Sequence, residues 1–554
     1  MNTCKQCQTQ FEVTDKDRQF YDEMGVTEPL YCPQCRLVRR LMERNARQLY
    51  WRKCDFSGKK IISQYHEDVP FPVYDQAIWW GDDWDAMEYG RDFDFDRPFF
   101  EQFADLKNSI PHFSVFIVGG TLENSDYTNC TGYIKNCYLI SESDYNEDSY
   151  YSNRIYHSKN LVDCSNCYEG EYSYECIDCI KPNNLFFSQE CQNCSDSWFL
   201  QNCLGCKNCL GCINLRHKEY MIFNKQYTKE EYEKMKAGFG LNHFEKIMEL
   251  KKKAYQFFQT QPHKALQSEN NQNVVGDHVY NSKNAELCFD CRDLEDCKYC
   301  VKVAGGVKSC MDYTSWGFKA ERVYESAACG DNAYNLRFCS TCTTNNSDLT
   351  YCFQCTGSGN LFGCVGLKRK KYCILNKQYS KSEYEELVPK IIAHMRETGE
   401  WGEFFPIGLC PFGYNETIAM DHFPLTKSEA LGKGYNWSDY EMPPTEVKKT
   451  IAANRLPDTI GEIPDDVLNW AITCEVAGKP FRLTAAELGF YRRMDFPVPH
   501  RRPDQRHRDR MSLRPPYRLW ERICDSCKKE IRTTYAPDRP EIVYCEQCYL
   551  KEVY

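Results

Sequence analysis

The sequence predicts a mainly β protein with added helices, in which two blocks of cysteine-rich β-solenoid repeats, resembling a parallel β-helix, lie between two copies of a treble-clef or zinc-ribbon module. Three observations predict this fold class. The two ends align with each other without a gap, the middle repeats about every twelve residues, and each repeat block closes on the same strand-plus-helix segment. Short strands repeated at a fixed spacing between Asn, Ser and Gly turns are typical of solenoids.

A chain of 554 residues is too long for one hydrophobic core, so several structural units are expected. In chain order we predict the first module (1–79), an acidic and aromatic connector (80–130), the first block (131–227), a helical segment (228–270), the second block (271–379), a helix (380–399), an aromatic and proline-rich linker (400–473) and the second module (474–554).

Each module carries two CxxC pairs. In the first module 24 residues separate the pairs, and in the second module 17 residues separate them. Four thiolates from two such pairs can complete the tetrahedral shell of a structural Zn²⁺. We therefore predict two zinc sites, one with the ligands Cys4, Cys7, Cys32 and Cys35, and one with the ligands Cys524, Cys527, Cys545 and Cys548.

The two modules are an internal duplication. Adding 470 to the residue number aligns positions 4–79 with the C-terminus and gives 22 identities over 76 positions. In this alignment Cys54 and Cys474 are each the only cysteine of a second four-residue set. Their companions are Ser57, Asp75 and Ile78 in the first module, and Ala477, Arg502 and Gln505 in the second. We therefore expect Cys54 and Cys474 to be core residues, not ligands.

Both copies also keep a row of arginines at helical spacing: Arg36, Arg40 and Arg44 in the first, and Arg506, Arg510 and Arg514 in the second. Guanidinium groups bind phosphate with two parallel hydrogen bonds, so these six residues are predicted to bind a partner, with RNA or a ribonucleoprotein as the leading candidate. Two other interpretations remain open: a solvated helix face, or docking within the chain onto the acidic segment Asp82–Asp96.

Cysteines recur every twelve residues in the first block, at Cys167, Cys179, Cys191 and Cys203. One coil of the solenoid could hold one repeat or two, that is, 12 or 24 residues. The repeat cysteines could fill the interior as small apolar side chains, form disulfides, or bind further metal where CxxC pairs crowd together. The candidates for an additional metal site are Cys203, Cys206, Cys209 and Cys212.

Each block ends on the motif NKQY, at residues 224–227 and 376–379. A Thr or Ser follows directly, and a Glu follows three residues later: Thr228 with Glu231, and Ser380 with Glu383. This spacing predicts a capping box at the start of a helix. Because the end of a solenoid exposes strand edges and apolar interior, we expect a strand and a helix to cover it.

Function is predicted from what the sequence contains and lacks. Net charge is −10, so a uniformly cationic surface is excluded. The N-terminus has no apolar signal-peptide core and no stretch is apolar enough to cross a membrane, so we expect a cytoplasmic protein without membrane contact, whose thiols stay reduced. Nucleotide-binding loops and nucleophile motifs are lacking, so neither an enzyme nor a small-molecule substrate is predicted.

The leading functional hypothesis is a zinc-binding interaction scaffold that binds a large partner, RNA, a ribonucleoprotein or a protein, through its two arginine-rich modules. Two alternatives are a self-associating structural protein built on solenoid packing, and a metal-storage or redox-buffering protein that uses the cysteine ladder.

The motifs CPQCRLVRR and CDFSGK, the cysteine-studded repeats, the NKQY segments and YAPDRPEIVYCEQC together resemble a group of uncharacterised cysteine-rich zinc-ribbon proteins from little-studied bacteria. The resemblance covers nearly the whole chain. It implies zinc binding, and it implies no activity or partner.

Overall fold

The computed structural model describes residues 1–303, 311–315, 323–330, 336–441 and 449–553. The protein is a mixed α/β structure with many strands, and its helices and strands fall into two modules, two blocks of parallel strands and the segments that join them. Among the described residues, no helix is both long enough and apolar enough to cross a membrane.

Each helix and strand of the first module has a counterpart about 470 residues later. Two antiparallel hairpins, two successive helices, a short strand and a final helix make up each copy. In the first copy these are Asn2–Thr3, Gln10–Phe11, Asp15–Met24, Pro33–Met42, Tyr50–Lys53, Lys60–Ser63, Val73–Tyr74 and Gln76–Trp80. In the second they are Trp470–Thr473, Pro480–Phe481, Ala485–Met494, Pro503–Leu513, Trp520–Ile523, Glu530–Thr533, Ile542–Tyr544 and Glu546–Val553.

The first block is a parallel sheet in which neighbouring strands lie twelve residues apart in sequence. Asn183 pairs with Ser195, and Ser195 pairs with Lys207. Neighbours are therefore one repeat apart, not two. The strands are Leu122–Glu123, Asn129–Lys135, Ser141–Glu147, Asn153–Tyr156, Lys159–Val162, Ser165–Tyr168, Glu171–Tyr174, Asn183–Phe186, Ser195–Trp198, Lys207–Leu210 and Glu219–Ile222, closed by antiparallel Lys225–Gln226.

Inside each repeat the backbone has a second period, of three residues. Residues such as Asn160, Asp163 and Asn166 adopt positive φ angles near 55°, a conformation that Asn and Asp tolerate better than most residues. One position after Asn160 and Asp163, the side chains of Leu161 and Cys164 are fully buried. The two cysteines of a CxxC pair are three residues apart, which equals this backbone period. Both cysteines of a repeat therefore point into the interior.

Polar side chains at the positive-φ positions connect one repeat to the next. The Asn136 amide donates to Asp148 at 3.0 Å, and the Asn184 amide donates to Asp196 at 3.2 Å. Each of these bonds joins residues twelve apart. They hold neighbouring repeats in register in addition to the backbone ladder.

Interior serines and cysteines have equivalent roles in the first block. The Ser197 hydroxyl donates to the carbonyl of Ser195 at 2.7 Å, and the Cys167 thiol donates to the carbonyl of Ser165 at 3.5 Å. Each is a small side chain that fits a narrow interior and satisfies its own donor. All cysteines in the described part of the chain are free thiols, so the disulfide alternative finds no support there.

The second block repeats this arrangement with steps of 11 to 13 residues. Ser326 pairs with Cys339, whereas Ser347 pairs with Gly359. Its described strands are Ser268–Glu269, Gln272–Tyr280, Lys283–Arg292, Glu295–Lys298, Tyr313–Thr314, Ser326–Ala327, Cys339–Ser340, Ser347–Thr350, Gly359–Phe362 and Lys371–Ile374, closed by antiparallel Lys377–Gln378.

Both predicted capping boxes are confirmed. The Thr228 hydroxyl accepts from the N–H of Glu231 at the start of the helix Lys229–Gly238, and Ser380 does the same for Glu383 at the start of Lys381–Glu397. The other α-helices described are Phe99–Ser109, Phe244–Gln259, Ile418–His422 and Lys427–Gly432, and the other strands are His112–Phe113, Pro262–Lys264 and Lys449–Ala452.

The two modules pack in a crossed order. The first module shares a hydrophobic core with the second block, where the rings of Tyr21 and Tyr324 lie 5.1 Å apart. The second module shares a core with the first block, where the rings of Tyr491 and Tyr174 lie 5.9 Å apart. Since Tyr21 and Tyr491 are equivalent in the duplication, both modules use the same surface for this contact.

Candidate metal centres and the arginine contacts

The first candidate metal centre lies between the turn of the hairpin formed by Asn2–Thr3 and Gln10–Phe11 and the start of the helix Pro33–Met42. The Sγ atoms of its four cysteines lie within 4.8 Å of one another, close enough to bind one ion; they are Cys4, Cys7, Cys32 and Cys35. The N–H of Cys32 donates to the Cys4 thiol at 3.2 Å. A hydrogen bond from Cys35 lowers the pKa of Cys32 to about 5, which favours the thiolate that a metal needs.

The second centre has the same construction at the start of the helix Glu546–Val553. Its ligand set is Cys524, Cys527, Cys545 and Cys548, again within 4.8 Å. The N–H of Cys545 donates to the Cys524 thiol at 3.2 Å. Burial would raise the pKa of Cys524, but backbone N–H groups, first that of Cys545, outweigh burial and lower it to about 6. Both predicted cysteine sets are thus brought together and could each hold a metal ion.

Cys54 and Cys474 keep the backbone of a metal site without its other ligands. The N–H groups of Ser57 and Asp75 approach the Cys54 thiol at 3.4 and 3.3 Å, and the N–H of Ala477 approaches Cys474 at 3.5 Å. Both thiols are about 1 % exposed. In the part of the chain that is described, neither belongs to a group of three or more metal-binding side chains.

The cysteines suggested as an additional metal site, Cys203, Cys206, Cys209 and Cys212, do not converge as the two Cys4 sets do. Among the described residues, no three of these four Sγ atoms lie within 4.8 Å of one another. All four are buried, and their thiols donate to the carbonyl two residues earlier. The physical reason is the three-residue period, which stacks the cysteines along the interior without converging them on one point.

The arginine row is not on the surface, which corrects the prediction that it contacts a partner. In the first module Arg36 and Arg40 are 1 % and 0 % exposed. Arg36 pairs with Asp312 of the second block, Arg40 lies 3.5 Å from the same carboxylate, and Arg40 Nε donates to the Thr314 hydroxyl at 2.8 Å. A macromolecule therefore cannot reach these guanidinium groups in this fold.

The second module makes the equivalent contact with the first block. Arg506 and Arg510 each lie 2.8 Å from a carboxylate oxygen of Asp163. Arg506 also covers the ring of Tyr151 at 4.8 Å, as Arg36 covers Tyr299 at 5.3 Å. The duplicated residues are therefore buried ion-pairing residues that dock each module on a block, not a phosphate-binding face.

The last arginine of each row contacts the repeat block on which its own module does not mainly pack. Arg44 of the first module pairs with Glu142 of the first block at 2.7 Å. Arg514 of the second module lies 2.7 Å from Asp178 of the first block and 2.8 Å from Asp290 of the second. Arg514 thus connects both blocks to one module.

The acidic connector does not receive the arginine row. Its Asp85 and Asp92 instead pair with Lys370 and Lys377 at the end of the second block. The arginines do dock within the chain, as one alternative predicted. They dock onto the repeat blocks, so the predicted acceptor segment Asp82–Asp96 is wrong.

Sequence reasoning missed the carboxylates that receive these arginines. They share one backbone feature: all adopt positive φ angles in the repeats, and they are Glu142, Asp163, Asp178, Asp290 and Asp312. The three-residue spacing of the repeats is the sequence signal that could have identified them, because it distinguishes these positions from interior and strand positions.

No protein-family model matches this chain, and no curated protein shows significant sequence similarity to it.

Proposed function

We propose that this chain is a zinc-stabilised interaction scaffold, in which two Cys4 modules and two β-solenoids with twelve-residue coils form one rigid body that binds a large partner. The observation that carries the proposal is the crossed docking through the duplicated arginines. A chain whose two ends each pack on the more distant repeat block can rearrange only by breaking several buried ion pairs.

Zinc is the metal proposed at both centres. Four thiolates in paired CxxC spacing form a closed tetrahedral shell, and this ligand set is typical of structural zinc. Each centre lies at the start of a helix, where the helix dipole stabilises negative charge on the second cysteine pair. The metal would join a hairpin to that helix in each module, and in the first module the same helix carries the arginine row.

The solenoid part of the proposal rests on the sheet register and on the backbone angles. A solenoid coil with four short sides would need parallel strands that pair one repeat apart and a positive φ at every third residue. The repeats have both features. The antiparallel strand and the helix that follow each block cover its final edge, as a solenoid end requires.

The positions of the ionisable groups support a scaffold role. The arginines and carboxylates of the docking surfaces are paired with one another, and the repeat cysteines hydrogen-bond to backbone carbonyls. These groups are used to hold the fold. An RNA, ribonucleoprotein or protein partner remains the proposed class, but it would bind through exposed residues and not through the six arginines.

Capture from native lysate tests the proposal. The tagged full-length chain would be incubated with nuclease-treated or mock-treated lysate, beside Cys4→Ser and its duplicated control Cys474→Ser. We expect a defined macromolecule to be retained by the native chain and by Cys474→Ser, and to be reduced with Cys4→Ser. Loss of the retained material after nuclease treatment would identify RNA as the partner. Retention of nothing above background would contradict the scaffold.

A further inference from the structure

A cavity of about 650 Å³ lies between the two blocks and beside the first module. The first block contributes Tyr156 and Tyr168, the second contributes Tyr280 and Gln354, and the first module contributes Tyr65. A volume of this size is within the range of small-molecule sites, which is about 300–1,000 Å³. It lies apart from the metal centres and from Asp163 and Asp312, and part of its wall is formed by the docking residues Arg44, Glu142, Asp178 and Asp290.

Buried polar atoms without partners converge on this cavity. Gln354 is 2 % exposed, and its amide has no hydrogen-bond partner other than the neighbouring Tyr65 hydroxyl. His278 Nε2, Arg44 Nη1 and Asn166 Oδ1 also line the cavity without a hydrogen bond. Leaving a buried polar atom without a hydrogen bond is unfavourable, so these atoms indicate a polar occupant.

The charged groups of the cavity are largely neutralised by each other. Glu142 pairs with Arg44 at 2.7 Å and approaches Lys302 at 3.6 Å, and Arg154 pairs with Asp290 at 2.8 Å. The lining holds four Arg or Lys side chains against five carboxylates. With no excess of cations, the cavity has little to attract a phosphate or a carboxylate ligand.

The uncharged lining suits a molecule with many hydroxyl groups. The unpartnered atoms include donors, such as Arg44 Nη1, and acceptors, such as Asn166 Oδ1, and a hydroxyl can satisfy either kind. Threonine side chains line the second-block side, at Thr341, Thr343 and Thr344. The rings of Tyr156 and Tyr168, stacked 5.2 Å apart, add apolar surface to this polar lining.

An aromatic column leads from the solvent to this cavity. Tyr133 and Tyr145 are each about half exposed and stack with their centroids 4.7 Å apart, and Tyr145 stacks on His157, which lines the cavity. Beside the column, Lys135 pairs with Glu123 and Lys159 pairs with Glu147. The approach is therefore aromatic and electrically balanced, as the cavity is.

We infer that this cavity binds a neutral, polyhydroxylated ligand, namely a segment of an uncharged oligosaccharide. The amide of Gln354 and the guanidinium of Arg44 bind its hydroxyl groups, and the column of Tyr133, Tyr145 and His157 extends the site toward solvent. The inference is independent of the metal centres and of the proposed macromolecular partner.

Calorimetric titration of the full-length, zinc-loaded chain tests this inference. The probes are the neutral hexasaccharides of glucose, xylose, mannose and N-acetylglucosamine, with hexagalacturonate and hexauridylate as charged comparisons. We expect one-to-one binding of at least one neutral probe, and binding of the charged probes at least about tenfold weaker, because the Arg and Lys side chains of the cavity do not outnumber its carboxylates. Absence of binding by all four neutral probes, or preference for a charged probe, overturns the inference.

Variants locate the site. Gln354→Leu removes both amide atoms from the cavity wall, and we expect it to weaken binding about tenfold. Gln189→Leu is the matched control, a buried glutamine of the first block outside the cavity, and should bind as the native chain does. Thr343→Val is the second test variant should Gln354→Leu fail to fold. Binding that neither Gln354→Leu nor Thr343→Val weakens contradicts the location.

Discussion

Arg506 and Asp163 form a buried ion pair at 2.8 Å that joins the C-terminal module to the first block, which lies far earlier in the chain. The guanidinium is 3 % exposed, and it also approaches Glu487 at 3.2 Å and donates to the Tyr491 hydroxyl at 2.8 Å. In the first module Arg36 and Asp312 form the same contact with the second block. The same duplicated residue therefore forms a buried ion pair between module and block in both halves of the molecule.

Removing the charge of Arg506 should strongly destabilise the fold. Arg506→Leu leaves Asp163 and Glu487 buried with one cation fewer, and the loss of one partner from a buried pair costs about 3–5 kcal/mol. Arg508→Leu is the control, because Arg508 lies on the same helix and is exposed, so its removal should change stability by less than about 0.5 kcal/mol. Urea unfolding followed by circular dichroism measures both. Equal stability of the two variants would contradict the docking role.

The repeat cysteines should tolerate serine better than a larger apolar residue. Cys167→Ser keeps a small side chain that can donate to the carbonyl of Ser165, as Ser197 does to Ser195, and should cost at most about 1 kcal/mol. Cys167→Leu adds volume to a fully buried interior position and should cost about 1–3 kcal/mol or more. Thermal unfolding of both variants shows which of the two is less stable. A more stable Leu variant would show that apolar filling alone explains these cysteines.

Sequence patterns identified the cysteine sets, the duplication and the helix caps correctly, because each depends on residues close together in the chain or on direct self-comparison. The ligand pairs Cys4–Cys7 and Cys32–Cys35 converge as predicted. The cysteines from Cys203 to Cys212 have the same CxxC spacing but a different backbone, with positive φ at every third residue, and so do not converge. Spacing alone cannot distinguish these two geometries.

The arginine row was recognised but placed in the wrong environment. Helical spacing shows that Arg36 and Arg40 share a face, yet it does not show what packs on that face. Their carboxylate partners, such as Asp312, come from a distant block, and the crossed packing that brings them together has no local signal. The cavity depends on three units meeting in space, so no sequence pattern could have predicted it.

Stability should fall as pH rises above neutrality, and His278 should contribute to the fall. Burial would lower the pKa of His278, but the carboxylates around it, first Asp277, outweigh burial and raise its pKa to about 10. The charged groups facing it are Asp277, Asp178, Glu190 and Arg514. An unfolded histidine has a pKa of about 6.5. The stabilisation is therefore complete below about pH 6.5 and is lost as pH rises toward 10.

Replacing His278 with Gln removes that titration. Unfolding free energies measured between pH 6 and pH 10 should decline less steeply for His278→Gln than for the native chain. His66→Gln is the control, since His66 lies in the first module away from these carboxylates, and it should leave the slope unchanged. A native slope that His278→Gln does not reduce would show that His278 is not charged in the folded protein.

Each module is proposed to hold one zinc ion, at different positions of a duplicated pair of sites. Elemental analysis of the purified chain and of four single variants tests it directly, because Cys4 and Cys474 are equivalent in the duplication, as are Cys524 and Cys54. The expected content is two zinc ions in the native chain, in Cys474→Ser and in Cys54→Ser, and one zinc ion in Cys4→Ser and in Cys524→Ser. A native chain without zinc, or equal metal contents within each pair of variants, would contradict one zinc ion per module.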